Sequence, residues 1–152
     1  MPLVSVIIPY FNKKNYIKDA VNSVLNQTFK NLEIIIIYDD ENLSDYYYLM
    51  DEFKNKKNIK IFRNIKNIGA GISRNIGIKK SNGEIIAFLD SDDIWLPNKL
   101  EDQLNFMIKN NYDFTFSNYE KKLLNGSTIK AEAQKEFGYN DLLKSCDIGL
   151  ST

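Results

Sequence analysis

The sequence predicts an α/β protein with a three-layer α/β/α architecture around a mostly parallel sheet, and three features carry that prediction. Short runs rich in β-branched residues alternate with segments whose apolar residues recur at helical spacing. One run, Leu32–Tyr38, holds four consecutive isoleucines, the composition of a strand covered on both faces. Acidic clusters follow two of the runs at once, at Asp39–Asp40 and Asp90–Asp93. In open parallel sheets ligands bind beyond the carboxyl ends of strands, which is where both clusters fall.

The elements follow in order. Leu3–Pro9 reads as a buried strand, and Ile17, Ala20, Val21, Val24 and Leu25 then share one helical face. After Leu32–Tyr38, the stretch Leu43–Lys54 reads as a helix. It contains Tyr46, Tyr47 and Tyr48, which suit a core face, a partner surface or a lid equally well. Ile59–Arg63 is a brief strand. Asn67–Ser81 opens with a glycine-bearing loop and turns helical from about Ser73. Asn82-Gly83 is a turn signal before the strand Glu84–Leu89. Pro97 suits the first turn of a helix in which Leu100, Leu104, Met107 and Ile108 share a face, with Trp95 as a packing anchor beneath the acidic loop. Tyr112–Ser117 reads as a strand. Asn125-Gly126 would turn a hairpin between Tyr119–Leu124 and Ser127–Ala131, and Tyr139–Ser145 closes the chain as a short helix. Crossovers between parallel strands of one sheet are expected to be right-handed.

Length and composition narrow the function. The 152 residues support a single domain over residues 1–152, burying roughly two-thirds of the unfolded surface. There is no histidine, which excludes a Ser-His-Asp triad and histidine-ligated zinc or iron sites. Cys146 is alone, so no internal disulfide or thiolate cluster forms, and it reads as an inert small apolar residue. Zero formal net charge argues against nucleic acid as a partner. Arg63 and Arg74 are the only arginines, so few bidentate phosphate clamps exist and an anionic ligand would draw on a metal. The apolar opening Val4–Ile8 is too short for a signal or membrane segment. The expected location is therefore the cytoplasm, with peripheral contact at the inner face of the membrane left open.

Several residues could carry chemistry. Asp90, Asp92 and Asp93 place three carboxylates in four positions. On an extended strand end Asp90 and Asp92 would point the same way, and a hard divalent cation would offset their repulsion. The plain alternative is a solvated acidic turn capping the helix near Pro97. Asp39 and Asp40 likewise suit either ligand contact or a turn. Gly69 and Gly71 begin a GxGxxG pattern, but Arg74 stands at the third glycine and the segment does not follow the first strand. The glycines fit a loop passing close to a ligand or strand, with Arg74 and Asn75 as polar contacts. Tyr10 and Phe11 could form an aromatic platform or simply pack in the core.

Taken together, VSVIIPYFN (Val4–Asn12), SVLNQTFKNLEIIII (Ser23–Ile37), NIGAGISRNIGI (Asn67–Ile78), NGEIIAFLDSDDIWLPNKLE (Asn82–Glu101) and IGLST (Ile148–Thr152) resemble the inverting family 2 glycosyltransferases. Those enzymes have the GT-A fold, a Rossmann-like nucleotide-diphosphosugar transferase fold. The resemblance implies a nucleoside-diphosphate sugar as donor, with UDP as the carrier, and a glycan or lipid-linked hydroxyl as acceptor. Pro9 and Tyr10 would line the base pocket and Asp39 would accept a hydrogen bond from uracil. Asn67, Gly69 and Arg74 would complete the nucleotide site. Asp90 to Asp92 resemble the DxD motif, with Asp90 and Ser91 on the nucleotide side and Asp92, with Asp90, toward a Mn²⁺ or Mg²⁺ held on the diphosphate. The activity implied is inverting sugar transfer in polysaccharide, lipooligosaccharide or other glycan synthesis.

The chain departs from the family in two places. Counting from Glu33 puts Tyr38 at the first of two usual aspartates and Asp39 at the second; a one-residue shift would match Asp39 and Asp40 instead. The family's general base lies beyond the stretch that Ile148–Thr152 opens, so no catalytic residue is assigned and the acceptor part is expected after Thr152. On that reading these residues alone would turn over negligibly, and exposed strand edges would favour a homodimer. Two other classes compete. A metal-dependent nucleotidyltransferase would carry a glycine-rich basic loop where Pro9-Tyr10-Phe11-Asn12 stands. A receiver-like signalling domain would place its acidic pair after the first strand, not the second.

Overall fold

The computed structural model describes residues 2–123 and 125–132. The chain divides into two compact units, Met1–Glu101 and Asp102–Leu150. In the first, strands and helices alternate: β1 (Val4–Tyr10), α1 (Lys14–Leu25), β2 (Leu32–Tyr38), α2 (Leu43–Phe53), β3 (Ile59–Arg63), α3 (Ala70–Lys80) and β4 (Ile85–Phe88). The four strands form one parallel sheet in the order β3-β2-β1-β4. The chain builds the sheet outward from β1 to β3, then crosses back to lay β4 on the other side of β1. That reversal makes the β1/β4 boundary the topological switch point.

The isoleucine run does what its composition requires. All seven residues of β2 and all seven of β1 are buried, which happens only when both faces of a sheet are covered. Ile34–Ile37 are fully excluded from solvent, each side chain contributing about 2 kcal/mol of apolar burial. α3 packs on β1 and β2. Its closest approach is at Gly77, where a Cβ would stand 2.4 Å from Ile7 Cγ2.

α1 buries Ile17, Ala20, Val21 and Val24, as their spacing predicts; Leu25 is only half-buried. Gln27, just past its end, is fully buried and acts as a three-way tie. Its Nε2 donates to the carbonyls of Ser23 (3.1 Å) and Leu96 (2.7 Å), and its Oε1 accepts from the Leu100 N–H (2.9 Å). The Trp95 N–H donates to Ser23 Oγ at 3.1 Å, and the indole is buried. These bonds anchor the segment that follows Asp90–Asp93 to the end of α1.

α4 (Lys99–Asn110) begins in the first unit and continues into the second; it starts two residues after Pro97 and buries Leu100 and Leu104, with Met107 half-buried. Ile108 is 62% exposed, contrary to the expected shared face. Eight residues on from Leu100 the helix has turned about 80° past it, to the margin of the apolar stripe. The helix ends in a Schellman arrangement at Asn111 (φ 53°), with the Tyr112 N–H donating to the Met107 carbonyl at 3.0 Å. Tyr112–Ser117 has a strand's composition but no strand pairing, since no described neighbour offers it a ladder; Phe114 is 60% exposed. The hairpin forms as expected, β5 (Tyr119–Lys122) antiparallel to β6 (Thr128–Ala131), with Gly126 at φ 82° in its turn. The helix expected at Tyr139–Ser145, Cys146 and Ile148–Thr152 lie outside the described residues. Among the described residues no helix is long and apolar enough to cross a membrane.

Candidate functional site

The carboxyl ends of β1, β2 and β4 meet the start of α3 around a cleft of about 350 Å³. Pro9, Tyr10, Asp39, Asn67, Gly69, Arg74, Asp90, Ser91 and Asp92 all line it, together with Phe11, Lys13 and Ala70. The nine residues that the family resemblance assigned to nucleotide and metal therefore lie around one cavity at the switch point of the sheet, whereas Asp40, Gly71, Asn75 and Asp93 are not part of its lining.

Asp39 is its most constrained member. It follows β2 directly, is 2% exposed, and takes bonds on both carboxylate oxygens. Oδ1 accepts from the Ile68 N–H (2.9 Å) and Asn64 Nδ2 (2.8 Å), and Oδ2 from the Gly69 N–H (2.8 Å). The Asp39 carbonyl accepts from Asn67 Nδ2 at 3.0 Å. Asp39 thus satisfies amides that precede α3 and places a negative charge at that helix's positive end. Gly69, the N-cap, sits at φ 88°, where a side chain would be strained. The helix begins at Ala70 and not near Ser73, directly after a loop whose Ile68 and Gly69 amides are fixed by an aspartate distant in sequence.

The acidic loop is a turn, not an extended strand end, because the Asp93 N–H donates to the Asp90 carbonyl at 3.0 Å. Strand alternation therefore does not align Asp90 with Asp92, contrary to the expectation from sequence. Each carboxylate instead has its own cation. Asp90 Oδ1 accepts from an Arg74 terminal nitrogen, and Asp92 Oδ2 meets Lys13 Nζ at 2.8 Å. The bond to Asp92 holds the Lys13 ammonium above its ordinary pKa. Arg74 Nε is buried without a hydrogen-bond partner among the described residues.

The aromatic pair after Pro9 divides its roles. Tyr10 is fully buried and stacks on Tyr38, with centroids 4.8 Å apart, whereas Phe11 is 54% exposed at the cleft. The Tyr10 hydroxyl donates to Asp45 Oδ2 (3.1 Å), whose Oδ1 pairs with Lys14 Nζ (2.9 Å). Burial, reinforced by Asp45, pushes the Tyr10 phenol well above its usual range, and burial with nearby Asp40 pushes Tyr38 up to about 12. Both stay protonated at any ordinary pH. Asp40 accepts from the Asn12 N–H (2.9 Å) and so holds the loop that carries Lys13. Of the tyrosine run, Tyr46 packs edge-on against Tyr38 while Tyr47 is 64% exposed, so the run is split between packing and surface.

Lys13, Asn64 and Asp45 were not legible as site residues. Each acts through a partner far away in sequence, and no local pattern marks such a pair.

Comparison with known proteins agrees with this geometry. The family model described as glycosyl transferase family 2 matches residues 5–146. The chain belongs to glycosyl transferase family 2. It is 41% identical over 152 residues to the Escherichia coli protein named UDP-Glc:alpha-D-GlcNAc-diphosphoundecaprenol beta-1,3-glucosyltransferase WfgD, covering 99% of this chain and 58% of that one. Among solved structures, S. aureus TarS 1-349 in complex with UDP-GlcNAc matches with a TM-score of 0.64 at 29% identity, covering 72% of this chain and 32% of that one. A mannosyltransferase from Pyrobaculum calidifontis, solved with GDP-Man and Mn²⁺, shares the fold at a TM-score of 0.61 and 18% identity, over 77% and 34% of the two chains. The family 2 chain thus has the GT-A fold, and it spans a little over half the length of WfgD.

Proposed function

We propose that this family 2 chain binds a nucleoside-diphosphate sugar, with UDP as carrier, in the cleft at the β1/β4 switch point. Its role is donor binding for inverting transfer to a hydroxyl of a glycan or lipid-linked acceptor. The observation that carries the reading is the convergence on one cavity of Asp39, Arg74, Asp90 and Asp92. TarS with UDP-GlcNAc supports the donor class, and the name of WfgD, a UDP-Glc-dependent enzyme acting on a diphosphoundecaprenol-linked sugar, supports a lipid-linked acceptor.

The roles follow from geometry. Asp39 holds the Ile68–Gly69 amides and the Asn67 side chain, so the loop presents a fixed edge to the base. The exposed Phe11 ring offers an apolar wall beside it. Arg74, with its unpartnered Nε, and Asp90 face the ribose and diphosphate. Among the described residues no cluster of three or more acidic groups or cysteine could by itself enclose a metal. The donor chemistry nevertheless fits a hard ion of the Mg²⁺ or Mn²⁺ kind, which takes one or two carboxylates and completes its shell with phosphate oxygens and water. Asp92, with Asp90, would hold it. Bound there, the ion would offset charge on the departing nucleoside diphosphate. In the single displacement, the acceptor oxygen bonds to the anomeric carbon as the bond to the diphosphate breaks. The leaving diphosphate takes the electron pair and a general base takes the hydroxyl proton.

Calorimetric titration with UDP tests the reading. UDP should bind in the presence of Mn²⁺, and Asp92→Ala should weaken that binding about tenfold. No binding by the parent chain, or equal binding by Asp92→Ala, would sink the assignment.

A further inference from the structure

The two cations that neutralise the acidic loop are held very differently. Arg74 projects from α3, its side chain is 13% exposed, and its planar fork is fixed against Asp90. Lys13 sits on the turn between β1 and α1, directly after Asn12, whose φ of 50° bends the chain there. Its side chain is 41% exposed and that of its partner Asp92 is 39% exposed. Its ammonium has a second resting place nearby, since Nζ lies 5.8 Å from the centroid of the Tyr16 ring. An ammonium on a flexible four-carbon stem, in a half-exposed pair, is easily displaced. Both members of the pair line the candidate cleft.

We propose that Lys13 is the resident counter-cation of Asp92: it neutralises the carboxylate in the donor-free protein, gives it up to a divalent ion, and then pairs with the donor's diphosphate in the same cleft. The proposal rests on the donor-site reading above and adds a residue that reading does not use. Lysine and metal compete for the single negative charge of Asp92 and repel one another beside it, so Lys13 weakens metal binding while the cleft is empty. A diphosphate gives the displaced ammonium a new partner, which removes the penalty. Metal and nucleotide are thereby coupled, and by linkage each favours the other. Lys13 is a positioning and binding residue in this scheme, and no proton moves.

The test reads Mn²⁺ binding directly, from the electron paramagnetic resonance signal of the free ion, without any turnover assay. Lys13→Met keeps the stem and removes the charge. It should tighten Mn²⁺ binding in the absence of nucleotide about fivefold, the size of one half-exposed ion pair. Lys13→Arg should stay within about twofold of the parent, because the charge remains. In an Asp92→Asn background Lys13→Met should have no effect, since the competed carboxylate is gone. At saturating Mn²⁺, UDP should bind Lys13→Met about fivefold more weakly.

Unchanged or weaker Mn²⁺ binding by Lys13→Met, while Asp92→Asn still loses the ion, would overturn the counter-cation and leave the donor site standing. If Asp92→Asn does not affect Mn²⁺ either, both readings fall together. Unchanged UDP affinity in Lys13→Met would overturn the hand-over to diphosphate.

Discussion

Carboxylates stand at both the amino and the carboxyl edge of the parallel sheet, and the two edges hold them differently. At the amino edge Glu33 on β2 is 7% exposed and saturated. It accepts from Ser5 Oγ (2.7 Å), Lys60 Nζ (2.8 Å), the Asn82 N–H (2.6 Å) and Asn82 Nδ2 (3.1 Å). Ser5 Oγ in turn accepts from the Gly83 N–H at 2.9 Å. That network joins β1, β2, β3 and the entry to β4, and it is closed. At the carboxyl edge Asp39 is equally saturated, but Asp90 and Asp92 pair with cations across an open cleft. Local acidity therefore does not distinguish a latch from a site. What distinguishes them is whether neighbouring backbone closes over the carboxylate or leaves a cavity beside it.

The sharpest way to break the contrast is at the latch. Gly83 passes so close to β1 that a Cβ there would lie 2.7 Å from both the Leu3 carbonyl oxygen and the Ser5 nitrogen. Backbone cannot yield as a flexible side chain can. Gly83→Ala should destabilise the fold by about 3 kcal/mol, measured by urea denaturation. An effect under about 0.5 kcal/mol, the range of an ordinary surface substitution, would mean that the amino edge is not closed.

Asp39→Asn comes next and acts at the other edge. Replacing one oxygen with an amide nitrogen turns an acceptor into a donor facing backbone N–H groups, which leaves at least one of them unpaired. The expected loss is about 2 kcal/mol of stability, together with loss of UDP binding in the same calorimetric assay. Stability lost with full nucleotide affinity retained would confine Asp39 to capping α3.

The latch also makes a pH prediction. Burial by itself would raise the Glu33 carboxyl, but bonds from Lys60, Ser5 and Asn82 outweigh it and lower its pKa from 4.5 to about 2. A carboxyl depressed in the folded state contributes stability above its unfolded pKa and loses it as pH falls through the folded one. The contribution, on the order of 2 kcal/mol after allowance for the half-exposed Lys60, should therefore fade between pH 4.5 and 2. Glu33→Gln should flatten that limb of the stability profile. A limb unchanged by the substitution would assign acid lability elsewhere.

These contrasts also explain what the amino-acid pattern could reveal. β2 and β3 were legible to the residue, because a continuous apolar run and a short segment with isoleucines at alternate positions, Ile59 and Ile61, both read as strand. Nine of the residues around the cleft were legible too, since motif order and strand ends are local features, but Lys13 beside them was not. The start of α3 was not: the glycine-bearing loop reads as irregular up to about Ser73 until Asp39 is seen to hold its Ile68 and Gly69 amides. The strand expected at Tyr112–Ser117 failed because a ladder needs a partner, and composition does not provide one. The pairing of Lys13 with Asp92, like that of Glu33 with Lys60 and Asn82, depends on which strand ends become neighbours. Strand order decides that.

The mildest prediction isolates function from stability within the cleft. Asp90 and Asp92 sit beside an open cavity, on a turn whose following segment is anchored by Gln27 and Ser23. Their ion pairs join side chains that water reaches, with exposures of 38% for Asp90 and 39% for Asp92. Asp92→Asn should therefore change thermal stability by less than about 0.5 kcal/mol, even as it removes metal binding. Asp90→Asn should be somewhat costlier, because it leaves the better-buried Arg74 charge without its carboxylate. A large stability loss in Asp92→Asn would place that residue with Glu33 as a structural carboxylate, and would erase the difference between the two edges of the sheet.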